Sequence, residues 1–392
     1  MMIFSSNTYT RRRQLLSLIG LGGSITLILG VFALTLRAPQ RLRLNSGGSA
    51  PQILREGQSL RGFRRVSTLQ MRGRPTAVEY LDNGRMVVAL MDEGVRSWLE
   101  FRSVEGRVLE RTVEVGRAPI YSLHVAPSGK ELVFATDRPE GKLYRLNLTN
   151  YQSQVLATAR NTSSPWCRAA YSPDSKTLAL LQGYDYVTLL DTATLQELGR
   201  IPLQRELTPT PQDCAVSVAF SPDGQELALG GVISLPERTG VIQLWNLATK
   251  RLTQTYQGCG INALAFSSDG QFLASRNDYG GGEVHERQSG RIVQRLRAEE
   301  DSASRITHPV SRGGTLRFVP GTSKIIMAGD GEATATDARL GGSQAILHTS
   351  TMPEGLARYY GYSHAACSPD GQSLVLHNHQ QLFIFKREKR EM

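Results

Sequence analysis

Residues 218–229 read Val-Ala-Phe-Ser-Pro-Asp-Gly-Gln-Glu-Leu-Ala-Leu, the clearest of several similar stretches in this chain. Apolar residues alternate with small or polar ones on either side of the central Ser-Pro-Asp-Gly, as in half-buried strands. Pro222 presets the backbone for the first turn position, and Gly224 tolerates a positive φ. The stretch therefore predicts a β-hairpin closed by a tight turn.

The same hairpin recurs along the chain, and Phe220 serves as its marker. The equivalent positions are Tyr80, Val125, Tyr171, Phe266, Phe318 and Cys367. Neighbouring markers lie 45 to 52 residues apart. A period in this range, with several short strands per unit, is typical of propeller blades, since one blade cannot bury both faces of its own sheet. The sequence predicts an all-β fold, a seven-bladed β-propeller of four-stranded antiparallel blades.

The last repeat lacks a fourth strand. Its third strand, Gln381–Arg387, runs almost to the C-terminal Met392. Residues 62–70 precede the first marker and belong to no earlier repeat. We therefore expect residues 61–70 to form the outer strand of the last blade and to close a propeller of residues 61–392, which would cover an exposed edge. The alternative is a disordered leader.

The Ser-Pro-Asp-Gly turns, clearest at 221–224 and 368–371, resemble those of WD-repeat propellers of a divergent bacterial type. The resemblance covers roughly residues 60–390. Two family features are absent or altered: no repeat has the Gly-His pair, and Trp-Asp occurs only as Trp245-Asn246. The resemblance implies a platform that binds other proteins.

The N-terminal part of the chain has the pattern of a membrane segment. Residues 1–13 are polar and end in three arginines, and residues 14–36 include 22 consecutive uncharged residues from Leu15 to Leu36. At about 1.5 Å per residue this stretch is long enough to cross a hydrocarbon core of about 30 Å. We expect one transmembrane helix before the propeller. The alternatives are a removed signal peptide, because residues 10–17 resemble a twin-arginine export signal, and a buried soluble helix.

Three further expectations concern this leader. Gly20 and Ser24 lie four residues apart, a spacing that lets membrane helices pack closely, although a Gly-rich signal sequence has the same composition. Residues 37–60 are polar, small and turn-prone, as in a tether. Positively charged residues favour the cytoplasmic side of a membrane helix, but arginines lie on both sides of this apolar stretch and nearly cancel that bias. The export resemblance therefore favours a single-pass protein of the bacterial inner membrane with its propeller outside the cytoplasm.

The net positive charge of the chain comes from its first 75 residues. Residues 1–75 hold 12 Arg, no Lys and one acidic residue, for +11, while the whole chain carries +10, so residues 76–392 sum to −1. A nucleic-acid-binding domain would need a basic patch on the folded part, so we expect no nucleic-acid partner. Arginines beside a membrane segment are expected to meet anionic lipid head groups.

The sequence contains no recognisable catalytic pattern. It has no Gly-x-Ser-x-Gly elbow and no Cys-x-x-Cys pair, so we expect no enzyme activity, cofactor or metal. His377 and His379 share a strand face without a third ligand nearby, and we expect exposed polar positions there. Cys367 is expected in the core, whereas Cys214 and Cys259 are a candidate disulfide or two free thiols.

Two insertions suggest a partner-binding surface. The loop 230–240 contains Pro236 and Arg238, and the segment 351–363 contains Arg358, Tyr359, Tyr360 and Tyr362. Arginine and tyrosine often dominate binding energy at interfaces, although packing at strand ends uses the same residues. The sequence favours a membrane-tethered scaffold, or an accessory or assembly subunit of a membrane complex, that binds another membrane-associated protein. The alternative is an exported propeller enzyme or small-ligand binder, lactonase-like with a metal on the axis.

Overall fold

In a computed structural model of the chain, the described residues are 52–53, 60, 62–93, 96–103, 105, 107–136, 141–158, 168–181, 186–202, 217–232, 239–259, 261–277, 281–296, 314–329, 332–340, 345–348, 364–378 and 380–388. The chain divides into a unit of residues 1–47 and a unit of residues 48–392. Only the second contains described residues. The expected membrane segment 14–36, with Gly20 and Ser24, lies outside them. Within the described ranges, no helix has the length and hydropathy needed to span a bilayer.

The described strands form seven blades, each built on four antiparallel strands, and in blades 1 to 6 these four strands follow one another outwards from the centre. Blade 1 contains β3 (Arg74–Tyr80), β4 (Arg85–Met91), β5 (Ser97–Ser103) and β6 (Leu109–Gly116). Blade 2 contains β7 (Ile120–Val125), β8 (Glu131–Thr136), β9 (Lys142–Asn147) and β10 (Ser153–Thr158). Blade 3 contains β11 (Arg168–Tyr171), β12 (Thr177–Leu181), β13 (Tyr186–Asp191) and β14 (Glu197–Pro202). Blade 4 contains β15 (Ser217–Phe220), β16 (Glu226–Val232), β17 (Thr239–Asn246) and β18 (Arg251–Cys259).

The remaining three blades follow the same order. Blade 5 contains β19 (Ile261–Phe266), β20 (Phe272–Asn277), β21 (Gly282–Glu286) and β22 (Ile292–Leu296). Blade 6 contains β23 (Thr315–Phe318), β24 (Lys324–Gly329), β25 (Glu332–Asp337) and β26 (Ala345–His348), with β1 (Gln52–Ile53) beside β26. Blade 7 contains β27 (His364–Cys367), β28 (Ser373–His377), β29 (Gln381–Arg387) and, outermost, β2 (Phe63–Gln70). The predicted seven-bladed propeller of four-stranded antiparallel blades is confirmed.

The blades form a closed ring. The first strand of each blade lies beside the first strands of both neighbouring blades, and the last of these contacts joins β27 of blade 7 to β3 of blade 1. The described residues form seven apolar clusters, and each cluster combines side chains from two adjacent blades. The hydrophobic core is therefore divided among the interfaces between blades.

The ring closes through β2. This strand pairs antiparallel with β29, with Phe63 opposite Arg387 and Gln70 opposite Gln381. Phe63 is completely buried in the cluster between blades 6 and 7, where Val319 and Phe385 also lie. The N-terminal strand thus supplies both the missing edge of the last blade and part of an interface.

A second N-terminal strand extends blade 6. Strand β1 pairs in parallel with β26, with Gln52 opposite Ala345 and Ile53 opposite Ile346. These two residues belong to the segment that we expect to be a tether. A pairing of two residues has no alternating pattern, so the sequence offers no signal for it.

The Ser-Pro-Asp-Gly turns are held by a repeated side-chain arrangement. In blade 4 the Ser221 hydroxyl donates to Asp223 Oδ1 (2.5 Å) and accepts from the Glu226 amide (2.9 Å), while Gly224 has φ of +70°. The corresponding serine-to-aspartate bonds are Ser172–Asp174, Ser267–Asp269 and Ser368–Asp370. Since side chains replace water as partners of the turn amides, the turns stay tight.

These turns also link neighbouring blades. Arg287 of blade 5 reaches Asp223 of blade 4 (Nη2 to Oδ2, 3.1 Å), and Arg339 of blade 6 reaches Asp269 of blade 5 (2.6 Å). We call the end of the propeller that carries these turns the turn face. We call the opposite end, where β16 leads into β17 and each blade leads into the next, the loop face.

The closing strand gives a first testable prediction. Replacing Phe63 by Ala should lower the free energy of unfolding by about 3–5 kcal/mol, because it empties a buried site at a blade interface. Val66 lies on the same strand but is 46% exposed, so Val66→Ala should cost no more than about 0.5 kcal/mol. Urea unfolding of the full chain, followed by tryptophan fluorescence, measures both. Equal effects would contradict a buried closing strand.

A second prediction concerns a close backbone approach in blade 5. A Cβ on Gly282 would lie 1.9 Å from the Ser275 carbonyl oxygen, whereas a Cβ on Gly84 would meet only Asp82 Oδ1, at 3.4 Å. Gly282→Ala must displace a strand and should destabilise the fold by about 1–3 kcal/mol. Gly84→Ala, the control, should change stability by about 0.5 kcal/mol or less. Urea midpoints that are the same for both variants would refute the close approach.

Candidate functional site

The strand ends that flank both predicted partner-binding segments lie on the loop face. Val232 at the end of β16 pairs with Gly240 in β17, and the segment that contains Pro236 and Arg238 connects these two strands at this end. The segment 349–363 connects β26 to β27 at the same end. Pro236, Arg238, Arg358, Tyr359, Tyr360 and Tyr362 themselves lie outside the described residues. Their role in binding stays a prediction.

The longest connections of the propeller join strand ends on this face. They are residues 159–167, 203–216, 297–314 and 349–363, and each connects the outermost strand of one blade to the innermost strand of the next. The connections on the turn face are shorter, such as 221–225 and 247–250. Loops on a rigid scaffold commonly carry function, so the two faces have unequal capacity for recognition.

A group of polar side chains lies on the innermost strands, and we call it the axial cluster. It consists of Glu79 (β3), His124 (β7), Arg168 (β11), Arg317 (β23) and His364 (β27). Arg317 donates to Glu79, which is 238 residues away in sequence and on the other side of blade 7. Glu79 is buried, and one third of the Arg317 side chain is exposed. Each residue stands one or three positions before its repeat marker, a pattern that our sequence analysis missed.

The two histidines of the axial cluster are uncharged at neutral pH. Burial, together with the positive charges of Arg317 and Arg168, lowers the pKa of His124 to about 3. Burial also holds the pKa of His364 well below its ordinary value, with contributions from His377, both arginines and His124. Groups from blades 2, 3, 6 and 7 therefore act on one another around the axis.

His364 has a second imidazole beside it. It lies opposite His377 in the pairing of β27 with β28, and the two rings stack with centroids 5.4 Å apart. His377 is completely buried, and its Nδ1 lies 3.2 Å from the Asn378 carbonyl oxygen. Our expectation of an exposed position was wrong for His377, because neighbouring blades cover the second strand of a blade on both sides. His379 lies outside the described residues.

Two predictions about cysteines have different outcomes. Cys367 is partly buried and packs against the apolar cluster between blades 6 and 7, as expected for a residue next to the core, and burial raises the pKa of its thiol to about 12. Cys259 belongs to β18, but its side chain and the whole of Cys214 lie outside the described part of the chain. The disulfide between them stays a prediction.

The chemistry available on the axis is that of charge and hydrogen bonding. Among the described residues, no three or more His, Cys, Asp or Glu side chains are arranged so that they could hold a metal ion. The axial cluster offers two guanidinium groups, one carboxylate that is paired with a guanidinium, and neutral imidazoles. Such groups can hold a small anion by charge-assisted hydrogen bonds.

The sequence was compared with known proteins. A family model described as WD domain, G-beta repeat, matches residues 250–280. The match spans β18 of blade 4 and the first two strands of blade 5, so the repeat in the sequence is offset from the blade by one strand. No curated protein matches the chain.

The buried imidazoles predict a pH dependence of stability. His124, His364 and His377 take up protons near pH 6.5 when unfolded, whereas burial lowers the pKa of His124 to about 3 and that of His377 to about 4 in the fold. The unfolded state therefore binds more protons between about pH 6.5 and 4. Stability should be fully present above about pH 6.5 and should decrease as the pH falls.

The slope of this decrease provides the test. His377→Gln removes one titrating group and should reduce the slope by up to about 1.4 kcal/mol per pH unit, whatever the stability of the variant at pH 7. Burial raises the pKa of Glu79, which acts in the opposite sense, but one carboxyl opposes three imidazoles. Urea unfolding at pH 7, 6 and 5 measures the slope. An unchanged slope in the variant would contradict a buried neutral His377.

Proposed function

We propose that this seven-bladed β-propeller, of which residues 250–280 match a WD-repeat model, is a membrane-tethered scaffold that binds another protein. The WD-repeat propeller fold is consistent with a protein-interaction scaffold. The observation that carries the proposal is the inequality of the two faces. The strand ends that the longest connections join lie on the loop face, whereas the strands on the turn face are joined by short turns. A rigid ring whose longest connections start and end on one side is suited to docking a partner there.

The residue types of the two insertions support the same surface. Arg358, Tyr359, Tyr360 and Tyr362 belong to the connection between β26 and β27, and Arg238 belongs to the connection between β16 and β17. Tyrosine and arginine combine a large contact area with hydrogen bonding, which makes them frequent anchors of interfaces. We propose that these two segments hold the partner.

The membrane part of the proposal rests on the leader. Residues 15–36 carry no charge and are long enough to cross a bilayer, and arginines lie on both sides of them. These arginines can meet anionic head groups. The proposed location is the bacterial inner membrane, with the propeller outside the cytoplasm. The proposed role is an accessory or assembly subunit of a membrane complex. A removed signal peptide is the competing interpretation.

The axial cluster supports a second candidate function. In this alternative the chain is an exported propeller enzyme or small-ligand binder, lactonase-like with a metal on the axis. Arg168, Arg317 and the neutral imidazoles of the axial cluster favour the form of this hypothesis in which a small anion binds on the axis.

A membrane preparation tests the scaffold proposal. We expect native mass spectrometry of the protein, extracted from the membrane fraction in mild detergent, to show the uncleaved chain with one stoichiometric protein companion. Combining Tyr359→Ala with Tyr360→Ala should release the companion, because it removes two proposed anchors. A chain cleaved after the apolar segment would contradict the tether.

The control is an apolar residue on the opposite face. Leu340 lies in a turn on the turn face and is 84% exposed, so Leu340→Ala should leave the companion bound. Release by the Leu340 variant but not by the tyrosine variant would move the interface to the turn face. A monomer without any companion would contradict the scaffold itself.

A further inference from the structure

Three positively charged side chains lie together at the turn-face end of blade 7. They are Arg64 of β2 and Lys386 and Arg387 of β29. Phe63, at the start of β2, lies opposite Arg387, whose amide donates to the Gln372 carbonyl in the turn of the same blade, so this end belongs to the turn face. Arg64 and Lys386 are exposed, and Arg387 is partly buried. We call these three residues the basic edge.

The charges of the basic edge are not balanced. Arg64 lies directly opposite Lys386 in the pairing of β2 with β29, and like charges in such positions destabilise a sheet. No ion pair or side-chain hydrogen bond to either of them, or to Arg387, occurs in the part of the chain that the structure describes. Three positive charges and the negative charge of the adjacent Glu388 leave this strand end with +2. Stability alone does not explain such a repulsion on the strand that closes the ring.

Other charged groups of the turn face are already engaged. Arg287 and Arg339 are each held by an aspartate of the preceding blade, Asp223 and Asp269. Asp370, the corresponding aspartate of blade 7, accepts hydrogen bonds from within its own turn. The charges of the basic edge therefore remain available to an external anion.

Exposed apolar side chains lie on both sides of the basic edge, in the turn-face turns of blades 6 and 1. Leu340 of blade 6 is 84% exposed, and Val108 and Leu109 of blade 1 are 58% and 41% exposed. The charged residues of the blade 1 turn, within 105–111, are two acidic and two basic, so their charges cancel. Cations combined with exposed apolar side chains are typical of segments that lie in the head-group region of a membrane.

The chain also enters the propeller at this end. Strand β1 runs parallel to β26, and Gln52 lies opposite Ala345, the first residue of β26 after the blade 6 turn. Strand β2 starts at Phe63, beside the basic edge. Both N-terminal strands therefore begin at the turn face. Residues 37–51 can span at most about 50 Å, so an anchored leader keeps lipid head groups within reach of this end.

We propose that the basic edge and the apolar residues beside it rest on an anionic lipid surface. The three cations contact the phosphate groups of the lipids, and Leu340, Val108 and Leu109 enter the boundary between head groups and acyl chains. The lipid relieves the repulsion between Arg64 and Lys386, because both charges then lie beside negative groups. A weak contact suffices, since the tether raises the effective concentration of the lipid.

This inference rests on the membrane part of the proposed function and goes beyond it. The leader supplies the attachment, whereas the basic edge selects the face of the propeller that the membrane covers. The loop face is then left open to the protein companion.

Hydrogen–deuterium exchange of the full chain in lipid nanodiscs tests the contact. One set of discs contains phosphatidylcholine alone, and the other contains phosphatidylcholine mixed with phosphatidylglycerol. We expect residues 105–111 and 338–341 to exchange more slowly in the anionic discs than in the neutral discs. High salt should remove the difference, because it screens exposed charges.

Replacing both exposed cations, Arg64→Gln together with Lys386→Gln, should reduce this protection about fivefold for each cation removed. Exposed positions tolerate such changes, so the fold should be retained. The matched control is Lys130→Gln together with Lys176→Gln, which removes two exposed cations from the turn face of blades 2 and 3 and should leave the protection unchanged. Equal protection in neutral and anionic discs, or an equal effect of the two double variants, would overturn the proposal.

Vesicle flotation separates this proposal from the tether. A chain that floats with phosphatidylcholine vesicles but shows no protection specific to anionic lipid would keep the tether and refute the lipid contact. A chain that floats only with vesicles containing phosphatidylglycerol, and not after Arg64→Gln with Lys386→Gln, would keep the contact and refute the tether. Protection that requires the protein companion instead of anionic lipid would assign the surface to a protein and would also overturn the proposal.

Discussion

A four-stranded blade has two apolar faces, and only another blade can cover each of them. The seven apolar clusters show this directly, because each one lies between two neighbouring blades. Such a core is complete only if the ring is closed. The pairing of β2 with β29 is therefore the interaction on which the other interfaces depend, since it completes the last blade and buries Phe63 between blades 6 and 7.

In the ring that the N-terminal strand closes, the turn face and the loop face differ in how they are held together. The turn face is held by serine and aspartate side chains within each turn and by arginines such as Arg287 and Arg339 between blades. These contacts leave the loop face free to vary, because the blades are already joined at the opposite end. Polar side chains from five blades then meet around the axis, where burial keeps the imidazoles uncharged. One ring thus supports three chemically different surfaces.

Sequence reasoning reached the blade count and the closing strand because both follow from a repeat. The turn around Gly224 recurs with the same residue types, which gives the number of blades. Each repeat has four strands but the last has only three, which indicates that a strand from elsewhere in the chain completes it. Other features of the structure have no repeated pattern in the sequence. Strand β1 pairs through two residues, and the Glu79–Arg317 contact joins positions 238 residues apart. The burial of His377 depends on neighbouring blades and not on its own strand. The predicted tyrosine and arginine anchors stay predictions, because they lie outside the described residues.

Hydrogen–deuterium exchange, measured by mass spectrometry on the full chain, tests ring closure most directly. Peptides that cover residues 63–70 and 381–387 should both be protected, and they should lose protection together, because the two strands open as one unit. A different result would contradict the account: exchange of residues 63–70 at the rate of an unfolded chain, while residues 381–387 and the other blades remain protected.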